Sequence, residues 1–148
     1  MKIDDEVKGK FRNEHHKLAV NIIFTHGWLL NIHTLIFKPF KITPNQFNIL
    51  RILRGQHPNP VTVNLLKERM LDKMSDASRL VERLREKGFV ERNICSKDRR
   101  RVDIKITEKG LKLLEKIDEY NEKIDSHLKN LTSKEAAELN ALLDKLRG

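Results

Sequence analysis

The sequence predicts a mainly α-helical fold with one small β-hairpin, and three observations carry that prediction. Ala77, Leu80, Val81 and Leu84 recur at i, i+3, i+4 and i+7, the spacing that gives a helix one buried face. In Arg101-Val102-Asp103-Ile104-Lys105-Ile106 the period switches to strict alternation of apolar and charged residues, the pattern of a half-buried strand. Phe89 to Ile94 supplies a partner strand just upstream, and Cys95-Ser96-Lys97-Asp98-Arg99-Arg100 joins the two as a polar, basic tip. A short amphipathic helix followed by a basic hairpin is a winged helix-turn-helix in outline. Such a helix fits a major groove, about 12 Å wide, while the hairpin tip reaches the adjoining backbone or minor groove.

The remaining elements follow in chain order. A first helix is expected from about Asp4 or Phe11 to Phe37, ended by Pro39, with Leu18, Ile22, Leu29 and Phe37 as its apolar positions. Ile23, Leu30 and Ile36 widen that stripe, so the helix has apolar surface for a second chain as well as its own core. Thr43-Pro44-Asn45-Gln46 is a helix start with threonine at the cap, proline at the first position and glutamine completing a capping box. Phe47, Leu50 and Leu53 face inward from it, and Gly55 is the expected stop. Thr62 caps a short helix from Val63 to about Leu71, and Asp72 is read as the cap of the amphipathic helix that Gly88 closes. After the hairpin, Thr107 caps a long helix with Leu111, Leu114, Ile117, Ile124 and Leu128 as its stripe, broken near Asn130. Thr132-Ser133-Lys134-Glu135 restarts as a capping box, followed by Leu139, Leu142, Leu143 and Leu146. The organisation expected is an N-terminal dimerisation helix over 1–40, a winged lobe over 41–107 and C-terminal dimerisation helices over 108–148. The terminal helices carry more apolar surface than so small a lobe can cover, which predicts a homodimer.

Charge narrows the partners. Lysine plus arginine number 30 against 21 acids, a net charge of +9, and the pI is near 9.8, the footprint of a nucleic-acid binder. A single cysteine, Cys95, excludes an internal disulfide and fits a reducing, cytoplasmic setting. The acidic start, Met1 to Glu6, is not a signal peptide. From Leu18 to Phe37 there is no formal charge, about the length that spans a bilayer. Asn21, Thr25, His26, Asn31, His33 and Thr34 would be costly in hydrocarbon, so the segment reads as an interface helix and no membrane is expected. No glycine-rich phosphate loop, nucleophile elbow or pocket-forming carboxylate pair points to an enzyme. Neither a cofactor nor a metal is expected: His26 and His33 lack a cysteine or carboxylate cluster at ligand spacing.

With these residues in place, the chain resembles the MarR family of bacterial transcriptional regulators over nearly its whole length. The likeness is most specific between Ser75 and Gly110, in SRLVERLREKGFVER, in Asp98-Arg99-Arg100 and in the ITEKG of Ile106 to Gly110. Thr43-Pro44-Asn45-Gln46-Phe47 echoes the family's second helix in part. The resemblance implies a triangular helical dimer with one winged lobe per subunit, bound to palindromic double-stranded operator DNA and usually repressing transcription. It places Asp98 and Arg100 on the family's Asp-x-Arg wing motif, where the aspartate orients the arginines and an arginine meets the DNA backbone or minor groove. Many relatives release DNA on binding a small aromatic or anionic effector in a cleft between the dimer helices and the DNA lobe. Others sense oxidants or metals.

The candidate DNA contacts are Ser75, Asp76, Ser78, Arg79 and Arg83 on the recognition helix, and Lys97, Asp98, Arg99, Arg100 and Arg101 on the wing. Arg79 has the fork geometry for a guanine edge, and the serines suit phosphate contacts. Glu82 and Glu86 are read as partners of neighbouring basic residues rather than DNA readers. His26, Trp28 and Phe37 are the candidates for an effector cleft. Cys95 at the base of the wing would be a regulatory thiol only with its pKa depressed by its basic neighbours, and with no second cysteine in the chain to resolve it, it is read as an ordinary thiol. The competing function is a winged-helix protein- or RNA-interaction module without operator specificity, since the fold alone does not fix the partner.

Overall fold

A computed structural model describes residues 1–94 and 102–148. Helix α1 is a single turn, Ile3–Glu6. The long helix α2 spans Glu14–Phe37 and begins where Asn13 accepts from the His16 backbone N–H, later than the sequence reading placed it. A 3-10 turn, Lys38–Phe40, carries Pro39, and Lys41 in the left-handed region (φ 56°) ends it. Helix α3, Pro44–Gln56, starts with the predicted capping box: Thr43 Oγ1 accepts from Gln46 N and Gln46 Oε1 from Thr43 N. It continues through Gly55, because nothing at that exposed position requires a break.

Strand β1 is only Val61–Thr62, followed by α4, Val63–Arg69, and α5, Ala77–Glu86. Strands β2, Val90–Ile94, and β3, Val102–Ile106, pair antiparallel with Val90 opposite Ile106 and Ile94 opposite Val102. Val61 pairs with Ile104, so the predicted hairpin is the larger part of a three-stranded sheet ordered β1-β3-β2. Ile104 and Ile106 point into the core, as the alternation required.

The C-terminal helices are shorter than expected. Helix α6 spans Glu108–Asp118, α7 Asn121–Ser126 and α8 Ser133–Arg147. Besides the expected break around Asn130, between α7 and α8, there is an earlier one at Glu119-Tyr120, where the Tyr120 ring meets Phe40 edge-on with centroids 5.3 Å apart. Leu128, expected on the buried stripe, is exposed.

One core sits inside the lobe. Ile49, Leu50 and Leu53 of α3, Leu66, Met70, Ala77, Val81 and Leu84, the strand residues Val61, Val90, Ile104 and Ile106, and Leu114 and Ile117 of α6 pack together. From the N-terminal side Ile36 and Phe37, at the end of α2, join them, with Ile32 and Phe40 partly buried against the cluster. The Arg54 guanidinium grips Asp118 through two hydrogen bonds of 2.6 and 3.2 Å, tying α3 to α6. That donation, opposed by partial burial, holds the Asp118 carboxyl below the usual aspartate range.

Local chemistry explains the sequence at both ends of the hairpin. Gly88, at φ +75°, closes α5 with a Schellman pair, Phe89 N to Leu84 O and Gly88 N to Arg85 O. The ITEKG run then packs on that closure. Thr107 Oγ1 donates to Gly88 O and accepts from Gly110 N, and Thr107 N donates to Phe89 O. A Cβ at Gly110 would collide with the Phe89 carbonyl and stand 2.7 Å from Ile106 Cγ1, so the position has no room for a side chain.

Two glycine substitutions should therefore move stability in opposite directions. Gly110→Ala is expected to lose about 1–3 kcal/mol from overpacking. Gly55→Ala, in open space inside α3, should gain up to about 1 kcal/mol from helix propensity. Urea denaturation measures both, and a destabilising Gly55→Ala or a neutral Gly110→Ala would contradict the packing described.

Candidate nucleic-acid interface

The seven residues between α4 and α5 form the turn of a helix-turn-helix, and side chains of α3 hold it. Met70 caps the end of α4 and is buried. Leu71 N donates to Asn48 Oδ1 at 3.0 Å. Asp72 does not cap the recognition helix, as the sequence reading had it. Its Oδ1 accepts from Met74 N, and its Oδ2 accepts from the Ser75 hydroxyl at 2.5 Å and from Asn45 Nδ2 at 3.0 Å. Asn45 Nδ2 also reaches Ser75 Oγ at 2.6 Å. Ser75 first, then Asn45 and the Met74 amide, lower the Asp72 pKa by stabilising its charged form.

The true cap is Asp76, whose carboxylate accepts from Arg79 N at 3.0 Å. The helix thus begins at Ala77, and Ser75 and Asp76 precede it rather than lying on it. Ala77, Val81 and Leu84 are buried, with Leu80 partly so. At the other end, Lys87 Nζ donates to Lys41 O at 2.6 Å and lies 3.3 Å from Gln46 Oε1. Lys109 Nζ in turn donates to Lys87 O. Both ends of α5 are therefore anchored to the start of α3.

What remains outward is the opposite face. Ser78, Arg79 and Arg83 are exposed, and Ser75, Asp76, Arg79, Leu80 and Arg83 line a shallow concavity of about 330 Å³. Among the described residues, the Arg79 and Arg83 side chains have no hydrogen-bond or ion-pair partner. Arg85 is engaged: it makes three hydrogen bonds with Glu82, which lower the Glu82 pKa and fulfil the helix-partner reading of that acid. Ser75 is engaged too, since its hydroxyl is used inside the turn. The wing candidates Lys97, Asp98, Arg99, Arg100 and Arg101, with Cys95, lie outside the described residues.

The effector candidates do not come together. Phe37 is 1% exposed, its ring against Phe47 with centroids 4.4 Å apart, so within this chain it presents almost no surface to a ligand. Trp28 is nine residues away on the same helix, about 13 Å along the axis, and lines a small cavity of about 190 Å³ with Ile3, Phe24 and Thr25. His26 is exposed elsewhere on the helix and does not line that cavity. His33, partly buried beside Phe37 (rings 5.9 Å apart), has its pKa lowered by burial and then by the charge of His127. No group of three or more histidine, cysteine or acidic side chains that could hold a metal occurs among the described residues.

Sequence reasoning missed Asn45, Asn48 and Lys87, which position the recognition helix without facing out. It also missed Leu71 and Met74, exposed apolar residues in the turn. Leu71 falls off the apolar period of α4, but Met74, three residues before Ala77 and seven before Val81, falls on that of α5, so spacing alone does not announce its exposure.

Comparison with known proteins agrees with this geometry. Residues 40–101 match the family model described as MarR family. The regulator PecS of Dickeya dadantii, described as an HTH-type transcriptional regulator, is 26% identical over 99% of this chain and 93% of its own length. A mutant of MarR from E. coli, solved in complex with operator DNA, superposes with a TM-score of 0.81 at 29% identity, covering 93% of this chain and 99% of that one. The organohalide-sensing regulator RdhR in its 2,4-dichlorophenol-bound form shares the fold at a TM-score of 0.83 and 23% identity, covering 95% of this chain and 86% of that one.

The cap assignment separates two roles of one acid. Asp76→Asn keeps a capping side chain and removes a charge that repels phosphate, so thermal stability should hold while affinity for random duplex rises. Asp76→Ala should lower the melting temperature. Melting curves and duplex titrations of both variants check this, and equal stability of the two would refute the cap. The helix-turn-helix lobe, the strand that closes its sheet and the match over residues 40–101 lead to one conclusion: the chain is similar to the MarR family of transcriptional regulators in that lobe and shares their winged-helix fold over most of its length.

Proposed function

We propose that this protein is a homodimeric, sequence-specific DNA-binding regulator, a cytoplasmic repressor of palindromic operators that a small ligand releases. The observation that carries the reading is the recognition helix. It is anchored at both ends to α3, and its outward face offers Arg79 and Arg83, arginines without described partners. A rigid helix presenting unpaired guanidinium groups suits guanine edges and phosphates. The net charge of +9 adds long-range attraction to a polyanion. Ser78 and Asp76 complete the contact face, and Lys97, Asp98, Arg99, Arg100 and Arg101 serve as the wing. The same reading leaves no enzymatic step for the chain, since its site is a binding face rather than a pocket with convergent acid and base groups.

The division of labour follows the core. Residues 41–107 act as the DNA lobe, and 1–40 with 108–148 form the dimer. Ile23 (72% exposed), Leu30 and Leu35 on α2, and Leu139, Leu142 (63% exposed) and Leu146 on α8, leave apolar faces in water that a second copy would cover. Helix α2 with its 3-10 extension, Glu14–Phe40, is long and apolar enough to cross a membrane by length and hydropathy alone. Its asparagines, histidines and threonines favour a protein partner over lipid. A small aromatic or anionic effector, of the kind RdhR holds in its dichlorophenol-bound form, would act where the α2 end meets the lobe.

Two measurements test the reading. Full-length protein offered a randomised duplex pool should enrich a palindrome and bind it far more tightly than scrambled duplex. Equal binding to both favours the protein- or RNA-interaction reading. A chain ending at Leu131 keeps every buried core residue, so it should fold with normal circular dichroism yet sediment as a monomer. A folded, monodisperse dimer of that truncation would overturn the interface.

A further inference from the structure

The turn before the recognition helix holds the least buried apolar side chains of the lobe. Met74 is 94% exposed and Leu71 86%, while the core behind them is filled by Met70 and Ala77. This exposure is not that of a slack loop. Leu71 N is held by Asn48, Met74 N by Asp72, and the following Ser75 by both Asp72 and Asn45. The backbone on both sides of Met74 is thus fixed with its side chain outward. Holding a thioether in water forgoes the free energy of its burial, so a surface that covers it would be favoured.

The charge around Met74 names that surface. Arg79 and Arg83 are exposed and line one concavity at the start of the recognition helix, a face that attracts phosphate and repels a basic protein. The flanking carboxylates of Asp72 and Asp76 are taken up by hydrogen bonds from Met74 N, Ser75, Asn45 and Arg79 N. Met74 stands two residues ahead of the cap Asp76, at the leading end of the helix whose first turn meets base edges in this architecture. In the major groove a single apolar group distinguishes one base from the other three, the 5-methyl of thymine. Methionine, unbranched and polarisable, adapts to such a small target.

We propose that Met74 reads a thymine methyl group at the leading end of the recognition helix, giving the protein an element of base readout independent of charge. Leu71, three residues earlier in the same turn, continues the apolar rim. The proposal rests on the DNA-binding reading above and extends it to a named base.

The test uses full-length protein and the duplex it selects from a randomised pool, with each thymine replaced in turn by deoxyuridine. The replacement deletes only the methyl group. Wild type is expected to lose about three- to fivefold in affinity at one position per half-site, the worth of one methyl moved out of water. Met74→Ala should lose a similar factor on the thymine duplex and then be indifferent to deoxyuridine at that position. Indifference of the wild type at every thymine overturns the proposal, as does a Met74→Ala variant that stays as sensitive as wild type. Failure to select any duplex overturns the DNA-binding reading itself, a result distinct from selection followed by indifference to the methyl groups.

Discussion

The structure turns on the first turn of α3. Within four residues it presents Asn45, Gln46 and Asn48, and each is used. Asn45 and Asn48 hold the turn that leads into the recognition helix, while Gln46 both completes its own capping box and meets Lys87 beyond the helix end. A helix of ten residues has little stability alone. Here its buried stripe and its two anchored ends make it a fixed object, so that its outward arginines are presented rather than dangling. Fixing the helix backbone in advance would lower the ordering cost of any contact made by its outward face.

The second constraint is steric. Helix α6 starts against the end of α5, with Thr107 hydrogen-bonded to Gly88 and Gly110 lying against the Phe89 carbonyl. Arg54 and Asp118 then tie α6 back to α3. Helix α6 is therefore held both to the end of the recognition helix and to α3. Helix α8 buries none of its own residues and α2 buries only its last two. The one core draws on α6 and the end of α2 as well as on the lobe, while α8 and most of α2 leave their apolar side chains outside it.

Much of this was legible in the residues. The 3.6 period of Ala77, Leu80, Val81 and Leu84, the alternation around Ile104 and the two capping boxes each depend on neighbours in sequence, and each stands as expected. What was not legible depended on distant partners. Asp72 and Asp76 are equally good caps locally; Asn45, 27 residues from Asp72, decides between them. Val61–Thr62 is too short to show a period, and becomes a strand only because Ile104 lies opposite. Phe37 looked available for a ligand because the sequence does not show that Phe47 closes over it. The break after Asp118 has no glycine or proline to announce it, and comes where Tyr120 turns toward Phe40.

The central claim is that the outward arginines of the anchored helix carry the contact with nucleic acid. The measurement closest to it is the salt dependence of affinity for the selected duplex, compared between wild type and an Arg79→Ala, Arg83→Ala double variant. Removing one arginine–phosphate pairing should flatten the plot of log affinity against log salt by about one unit. The account predicts a clearly shallower slope or a collapse of site preference in the variant, with its thermal stability unchanged. A variant with wild-type slope and wild-type preference would contradict it.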